Sequence, residues 1–466
     1  MSINVRFAPS PTGYLHIGGA RTALFNYLFA KHNNGNFLVR IEDTDKARST
    51  NEAVNAIKQG LDWLGLSPDN EYVFQSNNIE RHKEIVNKLL NEGKAYYCYT
   101  TPEELSQMRE EAQKQKTQFK YPYIWRDSKE TPPKGVNPVV RIKIPKTGET
   151  IINDLVQGQV TVANEQLDDF ILLRSDGTPT YMLSVVVDDV DMNISHIIRG
   201  DDHLNNAFRQ YHLFKAISAD IPQFAHIPLI HGEDGKKLSK RHGALGIEQY
   251  QKMGYLADAL KNYLCRLGWS YGDNEIFTQQ QAIDWFDLKN VGKSPSRMDF
   301  KKLENLNAHY IKHMDNQELL DIIIPMFENI DDIAIKRIKK GINSIKLRAF
   351  TINDFKILCD FYVNRPSFPL SDEKAQKIIE QNSPDILKKI VDVIKDIEEW
   401  NEQNIENTIK SFVEKNNYKF AEVAQPIRVS ISGTTKSPSI FEIINILGKK
   451  ETIERLTKLS KFNTYC

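Results

Sequence analysis

Two glycine-rich segments carry the residue types that could handle a nucleotide. The first, Pro9–Arg21, contains Pro9, Pro11, Gly13, His16, Gly18 and Gly19, and lies between an extended run, Asn4–Ala8, and an amphipathic stretch from about Ala20 to His32. Prolines stiffen such a loop, and glycines let the backbone approach a ligand closely. A helix starting there would offer unpaired amides and the positive end of its dipole, an anion site suited to phosphate. His16, just before that start, could donate to a phosphate oxygen. The second segment, Gly232–Gly243, sets Lys236, Lys237, Ser239, Lys240 and Arg241 between glycines. A cationic loop of this kind can close on a nucleotide and offset charge growing on a phosphoryl group. Taken singly, each has a bland alternative: a glycine turn with a capping histidine, and a solvated basic loop. Their combination is much less common. No Ser/His/Asp or Cys/His triad stands out, so the chemistry expected is positioning and charge stabilisation rather than a covalent enzyme nucleophile.

The elements that must position these loops follow from the hydrophobic pattern. Asn4–Ala8 and Asn36–Ile41 read as strands, with helices at about Ala20–His32, from a Ser49/Glu52 capping box to about Leu64, and at Ile79–Asn91, stopping at Gly93. Strand–helix–strand in this order implies a parallel sheet with crossover helices, an α/β domain. From about Lys94 to Ile194 the rhythm changes. A polar helix opens at Thr101–Glu104, and Val139–Ile144, Thr150–Asn153, Gln159–Val162 and Phe170–Arg174 read as short strands. Ser175–Gly177 reads as a hairpin turn leading to a further strand, Thr178–Leu183. This region reads as an α+β insertion that leaves the first domain and returns to it. From about Met253 helices dominate, and the final third carries basic residues Lys336, Arg337, Lys339, Lys340, Lys346 and Arg348. The expected division is 1–93 and 195–310 for the two catalytic portions, 94–194 for the insertion and 311–466 for the helical region.

Composition bounds the classes. The chain has 466 residues, 40% hydrophobic and 26% charged, with 61 basic and 61 acidic residues, so it is a folded protein without a uniformly basic coat. No apolar stretch is long enough for a membrane span, and the N-terminus lacks a signal core, so a cytoplasmic protein with no membrane partner is expected. Cys98, Cys265, Cys359 and Cys466 are far apart and form no CxxC pair, which suits a reducing compartment.

With both loops in view, the chain resembles class I aminoacyl-tRNA synthetases. Pro9–Arg21 and Lys237–Arg241 are similar to the HIGH and KMSKS signatures of that family. The extended form, Arg6–Gly13 with Ile41–Asp45, resembles the bacterial glutamyl branch, in which Gly19 and Arg241 are common departures from the generic signatures. The likeness continues through Tyr181, Ile198–His203, Asn262–Trp269, Ala424–Val429 and Ser437–Pro438, essentially the whole chain. It implies a Rossmann-like, parallel-sheet catalytic domain, an inserted acceptor-stem-binding domain and an all-helical anticodon-binding region. It also implies an ATP-dependent ligase, using Mg2+ with the ATP, that joins L-glutamate to tRNA(Glu), with tRNA(Gln) an open second substrate and a monomer as the expected state. Arg6 and Arg199 are the candidates for glutamate carboxylates, Glu42 for the ammonium, and Ala8, Ser10 and Tyr181 for shaping the pocket. His16, Gly18, Gly19, Lys237, Lys240 and Asp202 are candidates for ATP, and Arg348 for the anticodon. Some relatives hold zinc in the insertion through Cys-x-Cys followed by Cys and His. Here Cys98 is followed by Thr100, and Trp125 and Asp127 supply no thiol or imidazole, so no zinc is expected. The alternatives are a glutaminyl enzyme, whose β-barrels the helical final third does not match, and a shorter HIGH-type nucleotidyltransferase that does not act on tRNA.

Overall fold

The computed structural model describes residues 2–45, 48–117, 119–236, 238, 245–370, 372–380 and 383–460. The chain divides into two compact units, 1–251 with 257–300, and 252–256 with 301–466.

The first unit opens with β1 (Asn4–Phe7), α1 (Ile17–His32), β2 (Asn36–Ile41), α2 (Asn51–Trp63), β3 (Val73–Phe74) and α3 (Ile79–Asn91). The insertion adds β4 (Ala95–Cys98), α4 (Pro102–Lys114), β5 (Val139–Ile142), β6 (Glu149–Asp154), β7 (Gly158–Ala163) and β8 (Ile171–Leu173). The chain returns through α5 (Tyr181–Asp191), β9 (His196–Gly200), α6 (Leu204–Ala216) and β10 (Gln223–Ile227).

The main sheet is parallel, in the order β10-β9-β1-β2-β3. From β1 the chain moves outward through β2 and β3, then returns to lay β9 and β10 on the opposite side. The order reverses between β1 and β9, and such a switch point opens a crevice at the strands' carboxyl ends. β1 is buried from Val5 to Phe7 and β2 from Phe37 to Ile41, the near-continuous burial expected of strands covered on both faces. Asn26 of α1 donates to the Ile198 carbonyl of β9 at 3.0 Å, pinning the helix across the switch point. The insertion holds a separate antiparallel sheet, β4-β5-β8, and the β6–β7 hairpin. Within it α4 begins with a full capping box, Thr101 and Glu104.

Three local expectations are corrected. α1 starts at Ile17 rather than Ala20, because His16 supplies the cap. The cap of α2 is Thr50, which accepts from the Ala53 amide at 3.1 Å, not Ser49. The turn at Ser175–Gly177 forms, with Asp176 accepting from the Thr178 amide at 2.8 Å, but no strand Thr178–Leu183 follows. Pro179 cannot donate to a ladder, and the chain turns at Thr180 into α5, so Tyr181 is a first-turn helical residue and not a sheet residue.

The second unit is helical, with no strand among its described residues. Its core is a single apolar cluster that includes Ile338, Ile342, Phe355, Tyr362, Leu387, Ile409, Ile427 and Leu456.

Candidate active site

Several of the expected site residues lie at strand ends near the point where the sheet order reverses. Arg6 lies near the end of β1, Arg199 near the end of β9, and Glu42 directly after β2. Ala8 and Ser10 follow β1, half-buried and exposed respectively, and the Pro9 carbonyl accepts from the Glu42 amide at 3.0 Å. The loop after β1 is thereby tied to the end of β2.

His16 caps α1 by accepting from the Gly19 amide on Nδ1 at 3.0 Å, and its ring is exposed. With Nδ1 accepting, the imidazole proton resides on Nε2, which can donate to a ligand. Gly18 sits so close that a Cβ there would lie 3.3 Å from His16 Nδ1. The capping histidine and the candidate phosphate donor are therefore the same residue, with one ring nitrogen for each task. Lys237 and Lys240 lie outside the described residues. Between them, Leu238 donates its amide to the Ile230 carbonyl at 3.2 Å, and further along Gly246 forms a β-bridge with His16. Asp202 lies in a single 3-10 turn, Asp201–His203, directly after β9.

Beneath this surface lies a buried charged cluster. Asp189 of α5 accepts from Arg6 Nε at 3.0 Å and Nη2 at 3.3 Å, and from Arg40 Nη1 at 2.6 Å. Arg40 also donates to Glu42 at 3.2 Å. Asp188 accepts from Gln75 at 2.8 Å, Asn78 at 3.0 Å and His82 Nε2 at 2.8 Å. Burial alone would raise the Asp189 carboxyl, but Arg6 and Arg40 outweigh it and hold the group below the usual range. Burial pulls on Arg40 in the opposite sense, and Asp189, Glu42 and Asp188 keep its pKa raised. Glu42 is raised by burial against the pull of Arg40 and Arg6. The forked edge of Arg6, expected to grip a substrate carboxylate in bidentate fashion, is thus already taken by Asp189, which leaves Nη1.

Arg199 contrasts with both. Its Nε donates to His226 Nε2 at 3.1 Å and its Nη2 to the His203 carbonyl at 3.3 Å, while Nη1 is buried with no partner among the described residues. Both partners are uncharged acceptors. Burial lowers the Arg199 pKa, and an unneutralised buried cation is strongly unfavourable unless an anion arrives. Tyr181 donates or accepts at His203 Nδ1, 3.2 Å away, and its hydroxyl is raised by burial and then by Glu42. Arg6, Glu42, Tyr181 and Arg199 thus share one electrostatic neighbourhood.

The chain matches the catalytic domain of class I tRNA synthetases (E and Q) over residues 2–305 and an anticodon-binding domain over residues 306–459. It belongs to the class I glutamyl and glutaminyl tRNA synthetase family. It is 52% identical to glutamate–tRNA ligase 2 of Rhodospirillum rubrum, covering 98% of each chain. It is 50% identical to the enzyme of that name from Paramagnetospirillum magneticum, covering 98% of this chain and 97% of the relative. Among solved structures, a glutamate tRNA ligase from Elizabethkingia meningosepticum, crystallised with its amino acid, superposes with a TM-score of 0.88 at 31% identity, covering 99% of this chain and all of the other.

In this synthetase Cys98 of the insertion sits beside hydroxyl groups. The thiol lies 3.1 Å from the Tyr121 hydroxyl, which lies 3.1 Å from Thr100 Oγ1, and the Arg141 guanidinium stacks 3.9 Å from the Tyr121 ring centre. Asp127 pairs with Lys143 at 3.2 Å. Among the described residues no group of three or more His, Cys, Asp or Glu is placed to hold a metal, and no helix is long and apolar enough to cross a membrane.

The helical unit sorts its expected basic cluster into two kinds. Lys346 donates to the Met314 carbonyl at 3.0 Å and Asn316 at 2.8 Å, and Arg337 to the Leu447 carbonyl at 3.4 Å, so both hold the fold together. Lys336, Lys339, Lys340 and Arg348 are exposed. Arg428 donates to the carbonyls of Ser437 at 2.9 Å and Pro438 at 2.7 Å, and its pKa is lowered by burial and then by Arg348. The residues that the sequence reading passed over are Arg40, Asp188, Asp189, Asp154, His226 and Arg428. A charged residue inside an apolar strand (Arg40 within Phe37–Ile41) and two acids closing an apolar helical run (Val185–Val187, then Asp188 and Asp189) were the available signals.

Proposed function

We infer that the protein is a glutamate–tRNA ligase: it activates L-glutamate with ATP, releasing pyrophosphate, and passes the glutamyl group to the terminal adenosine of tRNA(Glu). The observation that carries this reading is the buried Nη1 of Arg199, without a hydrogen-bond partner among the described residues, beside Tyr181, Arg6 and Glu42. A cation with uncharged partners in a cleft at the topological switch point calls for a small anionic ligand.

In this reading Arg199 and the remaining nitrogen of Arg6 meet the carboxylates of glutamate, and Glu42 meets its ammonium. Ala8, Ser10 and Tyr181 bound the pocket. His16 Nε2, with Gly18 and Gly19 in the first turn of α1, serves the ATP phosphates, and Lys237 and Lys240 offset charge as the α-phosphorus is attacked. Asp202 lies on the nucleotide side, and Mg2+ enters with ATP. Residues 94–194 serve the acceptor stem and 311–466 the anticodon, with 1–93 and 195–310 as the catalytic portions. Arg348 beside Arg428, with Leu347 60% and Phe350 51% exposed, offers cations and apolar faces together, a combination suited to unstacked bases. A cytoplasmic monomer is the state this reading takes.

The test is exchange of labelled pyrophosphate into ATP with glutamate and tRNA, followed by charging of purified tRNA(Glu) and tRNA(Gln). Exchange supported by glutamine and not glutamate would replace this reading with the glutaminyl one. Charging of both tRNAs would widen the substrate range without changing the site.

A further inference from the structure

The guanidinium of Arg199 is held by a second buried pair that the catalytic signatures do not include. His226 of β10 accepts from Arg199 Nε on Nε2 at 3.1 Å, and its Nδ1 lies 2.6 Å from Asp154 Oδ2. The sense of both bonds is fixed. A guanidinium only donates, so Nε2 must carry a lone pair; Nδ1 then carries the proton and donates to the carboxylate. Asp154 and His226 are fully buried on their side chains. The Asp154 carboxylate also accepts from the amides of Val156 at 2.9 Å, Gln157 at 2.8 Å and His226 at 3.1 Å. The Phe224 ring stacks near the imidazole, 6.0 Å between centres and 13° between planes, and the Arg199 guanidinium carbon lies 5.9 Å from the same ring.

Asp154 ends β6, on the inserted hairpin and not on the parallel sheet. The hairpin is docked on β10: the Leu155 amide donates to the Phe224 carbonyl at 2.8 Å, and Gln157 Nε2 to the His226 carbonyl at 2.8 Å. A packing role alone would be filled more cheaply by apolar side chains, since burying a carboxylate, an imidazole and a guanidinium together carries a large desolvation penalty. What the polar arrangement supplies is direction. With Nε and Nη2 tied to fixed acceptors, one geometry remains for Nη1.

We propose that Asp154 and His226 are positioning residues that orient Arg199 toward the substrate carboxylate, so that the inserted hairpin completes the amino-acid pocket. This rests on the reading of Arg199 as a glutamate-binding residue. The charged and titratable groups facing His226 are Asp154, Arg199, Asp201 and His203. Protonating Nε2 would turn Arg199's acceptor into a donor and set two cations together, so the pocket works only while the imidazole is neutral. Burial pulls the His226 pKa below the usual histidine value, with Asp154 opposing, which keeps it neutral at ordinary pH. Because that pKa is lowered, the failure falls on the acid side of about pH 6.5.

The experiment measures KM for glutamate, KM for ATP and kcat of pyrophosphate exchange from about pH 5.5 to about pH 8, in the full-length wild type and in His226→Gln, Asp154→Asn and Arg199→Lys. A glutamine at 226 supplies a carbonyl acceptor to Arg199 and cannot titrate. The expected result is that wild-type KM for glutamate rises steeply on the acid side while KM for ATP does not. His226→Gln should remain within about threefold of wild type near pH 7.5 and lose that acid-side rise. Asp154→Asn, which weakens the hold on Nδ1–H, should raise KM for glutamate about tenfold at all pH values with KM for ATP unchanged. If Arg199→Lys raises KM for glutamate but His226→Gln keeps the wild-type acid-side rise, the positioning role is overturned and the substrate role of Arg199 stands. If Arg199→Lys leaves KM for glutamate unchanged, the substrate role fails and the positioning proposal fails with it. Far-UV circular dichroism and thermal melting of His226→Gln separate these outcomes from misfolding, and an unfolded His226→Gln with a normally folded Asp154→Asn of unaltered KM would also overturn the proposal.

Discussion

The two units use buried polarity in opposite ways. In the catalytic unit, Arg6, Arg40, Asp154, Asp188, Asp189, His82, Arg199 and His226 are all buried and joined by hydrogen bonds or ion pairs. In the helical unit the core is mostly Ile, Leu, Val and Phe, and the buried polar residues described are fewer: Asn307, Ser430, Ser437, Thr452 and Arg455. The main exception is Arg455, which donates to the Phe361 and Ile431 carbonyls at 2.8 and 2.6 Å and pairs with Glu451 at 2.7 Å. A fold that needs only to present a surface is stabilised well enough by apolar packing. A fold that must fix charges against a small polar ligand has to fix them by other charges, at a desolvation penalty. The buried network in the first unit is therefore the structural counterpart of its chemistry, and the dry core of the second fits a scaffold for surface contacts.

The strongest way to break this contrast is Asp189→Ala. It leaves Arg6 and Arg40 buried without their shared anion and should destabilise the first unit by about 3–5 kcal/mol, read by denaturant unfolding. A loss under about 1 kcal/mol would mean that the cluster is wet and the contrast false. The same carboxylate gives a sign for pH. Its folded pKa is depressed, so its contribution is fully present above the unfolded value near 4 and is lost as pH falls through the lower folded value. Next in size, Lys240→Ala should cut pyrophosphate exchange by about a hundredfold or more with little change in unfolding free energy. Unchanged exchange would remove the loop from the mechanism.

How far such residues could be read from the chain depends on whether their signal was local. His16 and Gly18, like the Lys237–Arg241 run, sit in short contiguous segments, so an expectation about them needs no coordinates. The parallel sheet was readable because its strands and helices alternate in order, and the helical final third because its pattern lacks strands. Arg199 could be picked out by its segment, but not the fact that its Nε meets His226, 27 positions away, or that His226 in turn meets Asp154, 72 positions from it. Asp189 and Arg6 are 183 positions apart, and nothing in either neighbourhood announces the pair. The strand expected at Thr178–Leu183 failed for a local reason: Pro179 cannot donate to a ladder, and the chain turns at Thr180 into α5.

Arg348→Ala tests the other half of the contrast. If the helical unit works through its surface, this exposed residue should matter to tRNA and to nothing else. KM for tRNA in charging should rise about tenfold, the dependence of tRNA binding on salt should lose about one unit of slope, and KM for glutamate and the melting temperature should not move. A change in stability instead would make Arg348 part of the scaffold.

The smallest expected effect is the sharpest probe of how dry the helical core is. The Tyr362 hydroxyl is buried with no hydrogen-bond partner among the described residues, and burial raises its pKa. An unpaired buried hydroxyl contributes nothing to offset its own desolvation, so Tyr362→Phe should be neutral or stabilising by up to about 1 kcal/mol. The ring itself is tightly enclosed: a Cβ on Gly341 would lie 2.6 Å from the Tyr362 ring and 2.7 Å from its hydroxyl oxygen. Gly341→Ala alone should therefore destabilise the helical unit by about 1–3 kcal/mol through overpacking. Adding Tyr362→Phe should recover part of that loss, because it removes the hydroxyl contact and leaves those to the ring carbons. If Tyr362→Phe were itself destabilising by more than about 1 kcal/mol, the hydroxyl must be paired in solution, through water or a shifted neighbour. The core of the second unit would then carry hidden polarity, and its difference from the first would be one of degree.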